Sequence, residues 1–340
     1  MNRFTAAFFL LLFLTSCDFR NKEVTFVSGT IIHHIPTGQK PYVYLYRSPD
    51  TIDILHLDKI LTDSFPLDQE GQYHFKITNW NKPAFFDLKL NDQTIAHNYF
   101  LKPAEKIRLD FDVSETPARL LSHEFAGKYN RFLQEYSDTF YRNAAVKQFY
   151  YVGSNFLLAP EYAKYLDARH QQELNFAKEI LSNPESDSLF KIYLQSEIDY
   201  QWANDKTAFL WKKWVRNEEV PLDSSYYNFL TELKIDNPAA IVSPAYIRFL
   251  QLYIREIYRQ LPIAVQRSND PVKLKCEIAK QRTSGLAYKI ALYHILTEEL
   301  SNATSLGTVD AKKLQKVYEL ADWMSHITGD DAYIRYVQLN

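Results

Sequence analysis

The sequence predicts an α+β protein, an N-terminal antiparallel β-sandwich followed by an all-α helical bundle, and the reading rests on periodicity and composition. From Val24 to about Val113 the apolar residues mostly alternate with polar ones, as on a half-buried strand. From about Glu115 they recur every three or four positions, as on an amphipathic helix. The chain is 46% hydrophobic and carries 24 Tyr and 22 Phe, ample material for packed cores and unlike a disordered tail. The expected organisation is a signal peptide over residues 1–16, a tether over 17–23, a sandwich domain over 24–114 and a helical domain over 115–340.

The N-terminus reads as an export signal: Arg3 supplies the positive region, Ala6 to Leu14 the apolar run, and Thr15-Ser16 small residues before Cys17. That run is well short of the roughly 18 residues that cross a bilayer. Leu14-Thr15-Ser16-Cys17 resembles the lipobox of bacterial lipoproteins. The resemblance implies cleavage before Cys17, diacylglycerol on its sulfur and acylation of the new amino group. Each buried methylene contributes about 0.8 kcal/mol, and two or more chains anchor stably where one binds marginally. Asp18 to Glu23 then forms a polar tether. The alternative is an ordinary secretory signal with an incidental cysteine.

Strands are expected at Val24 to Ile32, Tyr42 to Arg47, Ile60 to Pro66, Gln72 to Ile77, Ala84 to Leu90, Ile95 to Leu101 and Lys106 to Val113. Turn residues fall at Pro36-Thr37-Gly38, Gln69-Glu70-Gly71, Asn91-Asp92 and Lys102-Pro103-Ala104, and Asp68 to Gly71 gives the sharpest hairpin signal. Within YVYLYR, Tyr42, Tyr44 and Tyr46 share one strand face and Val43 and Leu45 the other. Such a row is either a platform for sugar or peptide ligands or the surface on which the helical half docks, and among 24 tyrosines interior or interdomain packing is the expectation.

Helices are expected at Glu124 to Tyr141, Pro160 to Leu181, Ser186 to Asn204, Lys206 to Asn217, Ser224 to Leu233, Pro244 to Arg259, Pro271 to Arg282, Leu286 to Leu300, Val309 to Ile327 and Asp331 to Leu339. Pro160, Pro184, Pro221, Pro244 and Pro271 lie at or before first turns, where a missing N–H costs nothing. Asp223 or Ser224, Ser243 and Asp270 are N-cap candidates. Tyr-x-x-(Phe/Tyr)-Leu recurs at Tyr129, Tyr162, Tyr226 and Tyr246 without a fixed period, which fits core stripes rather than a solenoid.

No residue set specifies a reaction. The formal charge is −2, or 38 − 41 = −3 once Arg3 leaves with the signal, so no basic stripe for nucleic acid is expected. The eight glycines form neither Gly-x-x-x-x-Gly-Lys nor Gly-x-Gly-x-x-Gly, and there is no Gly-x-Ser-x-Gly. His33-His34 would point to opposite strand faces, His56/Asp58 offers two ligands at most, and Asp322/His326 is a dyad without a third member. No metal site, catalytic residue or cofactor is expected. Cys276 has no intramolecular disulfide partner if Cys17 is acylated, and reads as a small core residue on a helix.

FVSGTII, KILTDSFPLDQEGQYHFKI and YFLKPAEKIRLDFDV, followed by the helical half, resemble the N-terminal region of TlpA/ResA-like thiol:disulfide interchange lipoproteins of the Gram-negative envelope. The resemblance implies a lipobox, a small sandwich, a helical segment and then a thioredoxin-like domain. No Cys-x-x-Cys occurs in these 340 residues, so no redox residue carries over. The expectation is a non-catalytic docking or binding module, lipid-anchored in the cell envelope, at the outer membrane in preference to the inner. Its partner would be another envelope protein or a peptide. A truncated thiol:disulfide interchange protein, and a small-ligand or glycan binder using Tyr42, Tyr44 and Tyr46, are the alternatives.

Overall fold

The computed structural model describes residues 24–34, 41–48, 59–78, 81–116, 118–143, 146, 153–155, 158–216, 218, 224–304 and 310–339. The signal segment, Cys17, the tether, the His56/Asp58 pair, Pro221 and Asp223 lie outside them. The fold is mixed α/β, with two sheets in the N-terminal part and helices after them. The described residues form two compact units, one up to Gln134 and one from Glu135 onward.

The first unit carries β1 (Thr25–Ile32), β2 (Tyr42–Arg47), β3 (Ile60–Pro66), β4 (Gln72–Ile77), β5 (Ala84–Leu90), β6 (Gln93–Leu101), β7 (Lys106–Arg108), β8 (Phe111–Asp112) and β9 (Arg119–Leu120). One sheet has five strands in the order β4-β1-β8-β9 with β7 also on β1, and the other has the order β3-β2-β5-β6. Alternation decides which faces are buried. Thr25, Val27, Gly29 and Ile31 point inward from β1, and Tyr73, Phe75 and Ile77 do so from β4. Val27, Ile31, Tyr73, Phe75 and Ile77 join Val43, Leu45, Phe86 and Leu88 of the other sheet in one apolar cluster.

Three features depart from the expected antiparallel arrangement. First, β1 pairs antiparallel with β4 but parallel with β7 and β8, because the chain leaves β1, builds the other sheet and returns in the same direction. Second, the continuous strand expected over Lys106 to Val113 is broken at Leu109-Asp110. There Asp110 turns its carboxylate to accept from the Thr30 backbone N–H at 2.8 Å, while its own N–H donates to Ser122 Oγ at 2.6 Å. Third, the Asp68–Gly71 turn forms, with Asp68 Oδ1 accepting from the Glu70 and Gln72 N–H groups and Gly71 at φ 76°. Its strands separate nonetheless: β3 pairs with β2 and β4 with β1, so the turn links two sheets instead of closing a hairpin ladder.

Helix α1 (Lys128–Ser137) follows. Its Asn130 donates to the Phe100 carbonyl and accepts from the Phe100 N–H, at 2.8 and 2.6 Å, and so satisfies the backbone of the edge strand β6. Tyr129 meets Phe100 edge to face at 5.2 Å.

The second unit contains α2 (Ala159–Ser182), α3 (Ser188–Val215), α4 (Phe229–Glu232), α5 (Pro244–Gln260), α6 (Ile263–Ser268), α7 (Pro271–Arg282), α8 (Gly285–Thr304), α9 (Ala311–Thr328) and α10 (Ala332–Leu339). Ser243 and Asp270 cap α5 and α7 by accepting first-turn N–H groups, each ahead of a proline. The two helices expected over Ser186 to Asn217 are one 28-residue helix, α3. The polar run Asn204-Asp205-Lys206 does not break it, because partners on other helices engage it: Asn204 donates to the Ala245 carbonyl at 2.9 Å and Lys206 pairs with Asp167 at 2.6 Å. Tyr162, Leu166, Tyr226, Phe229, Tyr246, Phe249 and Leu250, the aromatic motif residues of this unit, lie in one buried cluster with Cys276.

Candidate functional site

Among the described residues, the outer face of the β3-β2-β5-β6 sheet brings aromatic, cationic and anionic side chains together. Val43 and Leu45 are fully buried, so alternation turns Tyr42, Tyr44 and Tyr46 outward. Tyr42 is 38% exposed and the other two are half-buried, so the row lies on the side of the strand away from this sheet's apolar core. The rings of Tyr42 and Tyr44 stack at 6.1 Å with 30° between their planes. The Lys89 ammonium lies 4.7 Å from the Tyr46 ring centroid, a cation–π distance.

Register brings further residues to this face. Tyr44 stands opposite Ser64 on β3 and Lys89 on β5, and Lys89 opposite Thr94 on β6. Tyr46 stands opposite Asp87, beside an irregularity in the β5–β6 ladder. Such irregularities re-aim side chains. Asp87 Oδ1 accepts from Lys59 Nζ at 2.7 Å and from the Asn98 backbone N–H at 2.8 Å, and His97 Nδ1 lies 3.2 Å from it. Lys59 also donates to Asn98 Oδ1, and Asn98 holds a left-handed backbone, φ 55°. Every one of these donors meets Oδ1; Asp87 Oδ2 has no donor among the described residues. Burial raises the Asp87 carboxyl, but the His97 hydrogen bond and the charges of Lys59 and His97 outweigh it and lower the pKa to about 2. The carboxylate is therefore ionised throughout the ordinary pH range.

Three more polar constellations lie within the helical unit. Arg169 and Glu173 form a buried pair at 2.7 Å, with the Tyr136 hydroxyl donating to Glu173 at 3.0 Å and the Tyr141 ring 4.7 Å from the guanidinium. His170 pairs with Asp199 at 2.8 Å and stacks on Trp202 at 4.5 Å. Gln251, Arg255, Lys275, His294 and Glu298 line a cavity of about 10 Å³, room for a single water. His294 donates to the Ile247 carbonyl at 3.1 Å, and burial lowers its pKa to about 4, so the ring is neutral there and its Nε2 proton is committed. Arg255 and Lys275 both turn to Glu298, at 3.3 and 3.0 Å.

The remaining histidine pairs separate. His33 meets Asp112 at 2.8 Å, while His34 faces the Ile31 carbonyl at 3.2 Å. Asp322 and His326 are both exposed on α9. No group of three or more metal-binding side chains forms among the described residues. Cys276 is 3% exposed, and burial pushes its thiol up to about 12.

No family model, curated protein or solved structure matches this chain.

Sequence periodicity located the tyrosine row but missed Lys59, Asp87, Lys89 and His97. They are separated by up to 38 residues (97 − 59) and meet through cross-strand register and a bend in β6, for which no local pattern exists.

Proposed function

We propose that this protein is a lipid-anchored cell-envelope binding module without catalytic activity, and that Tyr42, Tyr44 and Tyr46 form its contact surface. The observation that carries the reading is the outward orientation of the three rings, with Val43 and Leu45 holding the strand to the core behind them. An aromatic row beside Asp87 and Lys89 offers apolar ring surface and directional polar groups together, the composition of a recognition surface. The two sheets act as a β-sandwich, since both feed one apolar cluster, and the helices act as a bundle around the second cluster. Cys17 supplies the anchor, through acylation after cleavage of the export signal, at the outer membrane in preference to the inner.

In the buried constellations Tyr136 and Arg169 both donate to Glu173 and His294 donates to the Ile247 carbonyl, contacts that hold the helices together. Cys276 argues against the thiol:disulfide alternative: exchange needs an accessible thiolate and a resolving partner, and this thiol is buried with a raised pKa.

The test is capture from detergent-solubilised envelopes on the immobilised, acylated protein. The wild-type chain retains a component that Tyr44→Asp loses. Retention no greater than on a lipid-only control would sink the proposal.

A further inference from the structure

We infer that the outer face of the four-stranded sheet binds a neutral, polyhydroxylated ligand, a glycan chain, with Asp87 Oδ2 accepting from a sugar hydroxyl beside the tyrosine row. The inference rests on the binding-module reading and names its ligand class.

Charge decides the class first. Lys59 offsets Asp87 at 2.7 Å, and the Lys89 ammonium is drawn over the Tyr46 ring. Among the described residues of this patch the balance is one net positive charge, too few cations for a phosphate backbone, whose binding scales with the charges neutralised. Hydrogen-bonding capacity is high instead. One cross-strand row presents Ser64, Tyr44, Lys89 and Thr94, and the next presents Tyr46 and Asp87. Hydroxyls, an ammonium and a carboxylate oxygen without a donor alternate with aromatic carbon, which matches a ligand that carries both hydroxyls and C–H surface. Asp87 is ionised and held by three contacts to Oδ1, which leaves Oδ2 as the acceptor for a sugar hydroxyl. A peptide added as a strand along β3 would meet the exposed Asp63 and the register shift at Leu45/Tyr46, both of which guard an edge, and along β6 it would meet Asn130, which already holds the Phe100 backbone.

The experiment is an array of neutral oligosaccharides, followed by calorimetry on the best member with a heparin hexasaccharide as the anionic comparison. The expected result is binding of a neutral oligosaccharide, weakened about tenfold or more by Asp87→Asn, which replaces the acceptor with an amide and removes a hydrogen bond to a charged group. Tyr44→Ala, outside the Lys59–Asp87 pair, weakens it as well and keeps the test decisive if Asp87→Asn does not fold. Three results overturn the inference: no neutral oligosaccharide bound at millimolar concentration, binding insensitive to both substitutions, or binding of the heparin hexasaccharide alone. If the array is blank while Tyr44-dependent envelope capture persists, the ligand class is wrong and the binding-module reading stands; if both fail, both are wrong.

Discussion

Tyr46 and Asp87 stand directly opposite one another on β2 and β5, the ring held under the Lys89 ammonium and the carboxylate under Lys59 and His97. Directly opposed residues on one face lie roughly 5 Å apart at Cβ. An aromatic surface and a fixed anion therefore share one patch.

The electrostatics of Asp87 make acid stability a direct readout. Its folded pKa is lowered to about 2, against about 3.9 for an unfolded aspartate. Because the folded value is the depressed one, the stabilisation is present above the unfolded pKa and is lost as pH falls from about 4 toward about 2. The side chain is only 13% exposed, so the effect is on the order of 2 kcal/mol. Urea unfolding as a function of pH should show wild type losing its advantage over Asp87→Asn across that window. An advantage that stays constant from pH 6 to 2 would contradict the ion pair.

Gly29 is required by packing. A Cβ there would enter the space of the Leu109 carbonyl, which already accepts from the Tyr73 hydroxyl at 2.7 Å, while the Leu109 N–H donates to Ser28 at 2.8 Å. Relief requires moving backbone in the parallel pairing beside β1. Gly29→Ala should cost about 1–3 kcal/mol or more, as overpacking does, measured as a fall in the urea midpoint. An unchanged midpoint would show that the strands can separate without cost.

Cys276 should be silent in the native state. Buried against the helical core, with its thiol pushed up to about 12, it should resist iodoacetamide at neutral pH and react fully in guanidinium chloride. Cys276→Ser should destabilise by about 1–3 kcal/mol, the cost of burying a hydroxyl without a partner. Rapid native labelling would mean that this helix opens.

Local patterns carried much of the architecture. Tyr42 to Arg47, Ile60 to Pro66, Gln72 to Ile77 and Ala84 to Leu90 are strands over the residues expected, because alternation and flanking turns are encoded within each segment. Pro271 to Arg282 and its Asp270 cap were legible for the same reason. What was not legible is nonlocal. β9 is two residues long and exists only by pairing with β8, and α3 continues through Asn204-Asp205-Lys206 only because Ala245 and Asp167 supply partners. The site divides in the same way: YVYLYR announced the tyrosine row, whereas Asp87 and Lys59 acquire their roles from register.

Photocrosslinking in intact cells tests the contact surface most directly, with benzoylphenylalanine introduced at Tyr44 and, as a control, at the exposed Lys312 on α9. The account predicts a light-dependent adduct from position 44 and none from position 312. No adduct at 44, or equal adducts at both, would contradict it.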